Sequence, residues 1–164
     1  MDQGNTLKLL LVEDSEGDAR LMEIALERAP IPTQLKVVPD GVEAMALLRQ
    51  QAPYADAARP DLIFLDLNMP RKDGRAVLVE IKNDPDLKAI AVVILTTSEA
   101  DRDIQFCCQS KCNAYLIKPA QLDEFFQLVQ GAVVFWGKII HNPTFNCADY
   151  GCLDGGEPFV KSPG

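Results

Sequence analysis

Four apolar runs in this chain each end by handing over a polar or charged group. Leu7 to Val12 runs into Glu13 and Asp14, Leu62 to Leu65 into Asp66, Val92 to Leu95 into Thr96, Thr97 and Ser98, and Ala114 to Ile117 into Lys118 and Pro119. Short unbroken runs of this kind read as strands buried on both faces, the pattern of parallel sheets. The stretch after Asp66 contains Pro70 and Gly74, which force a turn, so Asp66 stands at the carboxyl end of its strand. In a parallel sheet all four deliveries lie along one edge. That edge is where open α/β sheets bind their ligands.

Between the runs the period becomes helical, and the alternation predicts an α/β fold of βαβ units: a doubly wound, five-stranded parallel sheet with right-handed crossovers and five helices. After the first strand, Met22, Ala25, Leu26 and Ala29 form a helical stripe that Pro30 stops. A second strand covers about Leu35 to Val38, and Asp40 then caps a helix whose apolar positions are Val42, Met45, Ala46 and Leu48. Gln51 to Pro60 reads as a loop. The third helix, about Arg75 to Asn83, presents Val77, Leu78 and Ile81 before Asp84 and Pro85 end it. The fourth strand covers Ala91 to Leu95 and the fourth helix about Glu99 to Lys111, with a weak stripe of Ile104, Phe106 and Cys107. The fifth strand is Ala114 to Ile117, and the last helix runs from about Leu122 to Ile140.

With 164 residues and 48% apolar content, the chain supports one sizeable core, and we expect one domain over residues 1–140. A formal charge of −8 repels a phosphate backbone and excludes nucleic acid as a partner. No window is apolar enough to span a membrane, and the residues after Met1 lack a basic and an apolar region, so a cytoplasmic protein without a signal peptide is expected. Five cysteines with one histidine, His141, make neither a disulfide framework nor a zinc set, and they read as reduced thiols.

In the last helix Leu122, Phe125, Phe126, Val129, Val133, Phe135, Trp136, Ile139 and Ile140 cover more than one face. One stripe packs on the sheet; the excess either covers a core edge or forms a surface for self-association, and we expect the latter. From His141 onward Pro and Gly break any period, and residues 141–164 read as a flexible or draped tail.

Neighbouring strands one and three would bring Glu13, Asp14 and Asp66 together, and like charges at that range oppose joint ionisation. A divalent cation removes the penalty, magnesium above others, because it takes hard oxygens from carboxylates, water and phosphate. Asp66 beside such an ion suits a nucleophile that forms an acyl phosphate, with Lys118 and the Thr96 hydroxyl stabilising the transferring group. Taken singly, Glu13 and Asp14 are an ordinary helix cap, Thr96 a turn residue and Lys118 with Pro119 a surface loop. Their conjunction at one edge carries the functional reading.

In this order, Glu13 and Asp14, Asp66 with Asn68, Met69 and Pro70, Asp73 and Gly74, Leu95 to Thr97, and Lys118 with Pro119 resemble the receiver domain of two-component response regulators, over about Leu7 to Ile140. The resemblance implies a flavodoxin-like strand order 2-1-3-4-5. It makes Asp66 the phosphoacceptor, with Asp14, Asp66 and the Asn68 carbonyl as direct magnesium ligands and Glu13 a ligand through water. Thr96 becomes the switch hydroxyl, Lys118 the phosphoryl contact, and Tyr115 the aromatic that turns inward when the threonine moves. It also implies a cis bond between Lys118 and Pro119. The Leu95 to Ser98 stretch, the long segment before the third strand, and Phe135 with Trp136 are similar to the small regulators that partner phytochromes. That group implies a sensor histidine kinase as partner and a homodimer through the fourth helix, fifth strand and fifth helix. With no effector domain expected beyond residue 140, the chain reads as a stand-alone signalling protein, not an enzyme, which assists its own magnesium-dependent phosphorylation and dephosphorylation.

Three competitors remain at this level. A degenerate receiver acting as a phosphorylation-independent dimerising module is disfavoured by the intact acidic set and Lys118. A haloacid dehalogenase phosphatase would place D-x-D after the first strand, whereas here Asp66-Leu67-Asn68 follows the third. A flavodoxin would need a Ser/Thr/Gly-rich phosphate loop after the first strand.

Overall fold

The computed structural model describes residues 6–141, so the reading of the tail beyond His141 lies outside the described residues. Ten elements alternate along the chain: β1 Leu7–Val12, α1 Glu16–Glu27, β2 Thr33–Val38, α2 Gly41–Leu48, β3 Leu62–Leu65, α3 Gly74–Asn83, β4 Ala91–Thr96, α4 Asp101–Gln109, β5 Ala114–Ile117 and α5 Leu122–His141. The five strands form one parallel sheet in the order β2-β1-β3-β4-β5, as the resemblance implied. Val12 pairs with Leu65, Leu65 with Ile94, and Thr96 with Ile117. That register sets the residues following each of these strands side by side.

Successive strand side chains point to opposite faces, and the core divides accordingly. Leu10, Val12, Ile63, Leu65, Val92 and Ile94 pack beneath α2, α3 and the buried residues of α4, while Leu9, Leu11, Leu62, Phe64, Val93 and Leu95 pack beneath α1 and α5. All four residues of β3 are fully buried. Each such side chain contributes about 1.5–3 kcal/mol of transfer free energy, so Asp66 hangs from a strand held by burial along its whole length.

Side-chain caps fix where the helices over the site begin. The Ser15 hydroxyl accepts from the Asp18 amide at 3.2 Å, Asp40 from Glu43 at 3.0 Å, and Asp73 from Arg75 at 2.7 Å. Helix α4 has no such cap. Its other end closes with the Lys111 amide on the Cys108 carbonyl at 3.1 Å and the Cys112 amide on that of Cys107 at 3.0 Å, with Lys111 left-handed at φ 69°. This is a Schellman ending, which brings Cys107 and Cys112 together as its apolar contact. Both thiols are buried, and burial raises them to about 11 and about 12, so they are packing residues rather than reactive thiolates.

Several expectations need correction. Helix α4 is shorter than Glu99 to Lys111, because the residues before it are held in a loop and Lys111 reverses the chain, which leaves Cys112 outside the helix. Strand β2 starts two residues early at Thr33, where the Leu7 amide already pairs with the Pro32 carbonyl. In α2 the buried positions are Gly41, Ala44, Met45 and Leu47, whereas Val42 is 43% exposed. The apolar excess of α5 goes partly inward: Phe125, Phe126, Val129 and Val133 are buried, Trp136, Ile139 and Ile140 half-buried, and only Leu122 and Phe135 are 48% and 50% exposed. Among the described residues the one cis peptide is Ala52–Pro53, so Lys118–Pro119 is not cis as implied. No helix of the described residues is long and apolar enough to cross a membrane.

Candidate functional site

Strands β1 and β3 are hydrogen-bonded neighbours, and this brings Glu13, Asp14 and Asp66 to one point: a carboxylate oxygen from each lies within 4.8 Å of the others. Glu13 and Asp66 are buried and Asp14 is exposed. The Asp66 amide is tied to the Val12 carbonyl at 3.2 Å, and one Asp66 oxygen accepts from the Asn68 amide at 3.3 Å. Gly74 closes the loop behind it. Its amide reaches the Leu67 carbonyl at 3.1 Å, and a Cβ at this position would overlap the Asp66 carbonyl and stand 2.8 Å from the Leu67 Cα.

From the far side comes Lys118. Its amide donates to the Thr96 carbonyl at 2.7 Å, and its Nζ lies 2.6 Å from Glu13, 3.0 Å from Asp18 and 3.7 Å from Asp66. The trans bond to Pro119 thus does not keep the lysine out of the site. Burial works against the Lys118 charge, but hydrogen bonding to Glu13, the charges of Glu13 and Asp66, and the contact with Asp18 outweigh it, and the ammonium is held above its ordinary value. For Glu13 the balance goes the other way: burial raises it more than Lys118 lowers it. Lys118 stays charged because three carboxylates face its ammonium.

Thr96 is fully buried, and its hydroxyl accepts from the Ser98 amide at 3.4 Å. Tyr115 is half-buried with its hydroxyl donating to the Ser98 carbonyl at 2.8 Å, so the ring is turned inward, and burial raises its phenol.

The structure therefore brings Glu13, Asp14, Asp66 and Lys118 together, sets Asn68 at their rim, and places Thr96 and Tyr115 along the adjoining β4–α4 loop. Asp18 escaped the sequence reading, since it looked like an ordinary first-turn acid of α1. Its signal was its position: a helix that starts immediately beyond Asp14 lays its first turn over the site. Three clustered carboxylates, a fourth at Asp18 and one ammonium leave the site short of positive charge. Hard oxygens in this number fit a divalent cation. A surface hollow of about 520 Å³ is lined by Leu26, Pro30, Ile31 and Thr33 and touches none of these residues. It is not a substrate pocket for the acids.

Comparison with known proteins agrees with this geometry. The sequence profile described as the response regulator receiver domain matches residues 9–130. Response regulator Rcp1 of Synechocystis sp. PCC 6803 is 46% identical over 144 residues, which is 87% of this chain and 98% of that protein. Among solved structures, the phosphorylated cyanobacterial phytochrome response regulator RcpA superposes with a TM-score of 0.77 at 50% identity, covering 80% of this chain and 94% of its own. The manganese-bound form of Rcp1 gives 0.77 at 45% identity, covering 85% and 99%.

Proposed function

The chain belongs to the response regulator receiver family, and we propose that it accepts a phosphoryl group on Asp66 from a sensor histidine kinase of the phytochrome type. The observation that carries this reading is the placement of the Asp66 carboxylate at the end of β3, within 4.8 Å of two more carboxylates and 3.7 Å from the Lys118 ammonium. An Asp66 oxygen attacks the phosphorus of a phosphohistidine; the new O–P bond forms as the N–P bond breaks, and the imidazole leaves with its electron pair.

Asp14, Asp66 and the Asn68 carbonyl would hold magnesium, with Glu13 reaching it through water. The ion supplies positive charge against the crowded carboxylates and the phosphoryl oxygens. Lys118 turns from Glu13 and Asp18 to the phosphoryl oxygens, and the Thr96 hydroxyl donates from the other side. Movement of Thr96 is read by Tyr115 on the adjoining strand, which biases the outer face of α4, β5 and α5 between two pre-existing arrangements. On that face Phe106, Ile117 and Leu122 are exposed, and this supports a homodimer there. The protein works in this reading as a cytoplasmic signalling component that assists its own phosphorylation and dephosphorylation.

Intact mass after incubation with a small phosphodonor and magnesium tests the proposal. One adduct is expected, absent in Asp66→Asn and in a chelated control. A folded wild type that binds magnesium yet takes no adduct would leave a phosphorylation-independent interaction module.

A further inference from the structure

Asp103 lies in the first turn of α4, is 6% exposed, and is engaged on both oxygens. One accepts from Arg75, from Nε at 2.9 Å and from Nη2 at 2.7 Å. The other accepts from the Ser98 hydroxyl at 2.6 Å. An acid in the first turn of a helix needs only the helix dipole to explain it. The dipole does not account for burial of the carboxylate between a guanidinium from α3 and a hydroxyl from the loop preceding α4.

Both ends of this arrangement lead to the switch. Arg75 also grips Asp73, its Nη1 standing 3.0 Å from that carboxylate, and Asp73 caps α3 immediately before Gly74, the residue wedged against Asp66. Ser98 is the residue whose carbonyl receives the Tyr115 hydroxyl and whose amide meets the Thr96 hydroxyl. The loop thus has few other anchors: α4 has no side-chain cap, and its N-cap residue Ala100 donates only to the Ser98 hydroxyl at 3.3 Å.

We propose that Arg75 and Asp103 are positioning residues of the switch: together they clamp Ser98 so that its carbonyl stands where the Tyr115 hydroxyl can reach it, and so hold the ring inward. The inference rests on the receiver reading above, because the inward ring is what that reading uses to report on Asp66. Loss of a buried hydrogen bond to a charged group changes an equilibrium by roughly tenfold or more. The inward population of Tyr115 should fall accordingly once the clamp is opened.

The test uses full-length protein grown with 3-fluorotyrosine. The sequence holds three tyrosines, and the Tyr115 fluorine resonance is the one missing from Tyr115→Phe. Its shift between light and heavy water reports exposure of the ring. In Ser98→Ala and in Asp103→Asn the resonance is expected to move to its exposed position, with Ser98→Thr, which keeps the hydroxyl, restoring the wild-type position. A Tyr115 resonance unmoved in Ser98→Ala would overturn the clamp, and this variant keeps the proposal open to refutation even where Asp103→Asn does not fold. Intact mass of the same samples with phosphodonor and magnesium separates the two claims. A ring that moves as expected in a protein that takes no phosphoryl group leaves the clamp standing and removes the receiver reading.

Discussion

The ammonium of Lys118 stands 2.6 Å from the carboxylate of Glu13 and 3.7 Å from that of Asp66, across a sequence separation of 105 residues in the first case. In this structure the lysine occupies the same cluster of oxygens that suits a divalent ion. Ion and ammonium therefore compete for Glu13.

Unit charges about 4 Å apart are worth about 4 kcal/mol at an effective dielectric constant near 20. Lys118→Ala is accordingly expected to bind magnesium more tightly than the wild type, by about tenfold or more, in calorimetric titration. The same variant should fail to change its association state on phosphorylation, measured by sedimentation with and without phosphodonor. Unchanged phosphorylation-linked dimerisation would remove Lys118 from the proposed switch.

Gly74 admits no side chain, since a Cβ would overlap the Asp66 carbonyl and crowd Leu67. The obstacle is backbone and cannot rotate away. Gly74→Ala should lose about 1–3 kcal/mol in urea unfolding, the usual range for overpacking, and should lower the yield of the Asp66 adduct by displacing the strand end.

Acid should unfold the protein partly through Asp103 and Glu80. Hydrogen bonds from Ser98 and then Arg75 lower Asp103 from its ordinary 3.8, and the bond from Lys72, ahead of that from Arg49, lowers Glu80 from 4.5. A carboxyl depressed on folding adds stability above its unfolded value and loses it as the pH falls through its folded value. Urea midpoints of the wild type should therefore drop as the pH falls below 4.5 and through the lowered folded values, and Asp103→Asn combined with Glu80→Gln should flatten that drop.

Two surface positions carry the wrong backbone residue for stability. Gly131 lies within α5 with nothing inside 4 Å of its missing Cβ, and Lys111 holds φ 69° at the end of α4. Gly131→Ala and Lys111→Gly should each raise stability by about 0.5–1 kcal/mol in the same assay.

The sequence was most legible where one force decided the outcome. Leu62–Leu65 is buried at every position and Leu7–Val12 at every position but Lys8, so their limits and the residues they deliver could be read directly. In α2, Val42 and Leu47 are equally apolar and differ only in which way the helix turns against α3, a matter of tertiary packing. The ends of α4 were obscured because Lys111 adopts a conformation that glycine usually marks. Of the residues that come together at the sheet edge, Asp66, Glu13, Asp14 and Lys118 directly follow strands and could be named from the sequence. Arg75, Asp103 and Asp18 sit on helix first turns, where an acid or a base is unremarkable until its partner on another element is known.

Strand β2 sits at one border of the sheet, and the clustered acids Glu13, Asp14 and Asp66 and the Lys118 ammonium follow β1, β3 and β5. The segment from Gln51 to Pro60, which joins α2 to β3, lies at the end of the sheet away from the acids, with Ala55 and Asp56 exposed at its tip. A reporter protein spliced between these two residues should leave phosphate chemistry intact, giving a sensor whose attachment point and reacting centre are at opposite poles of the molecule.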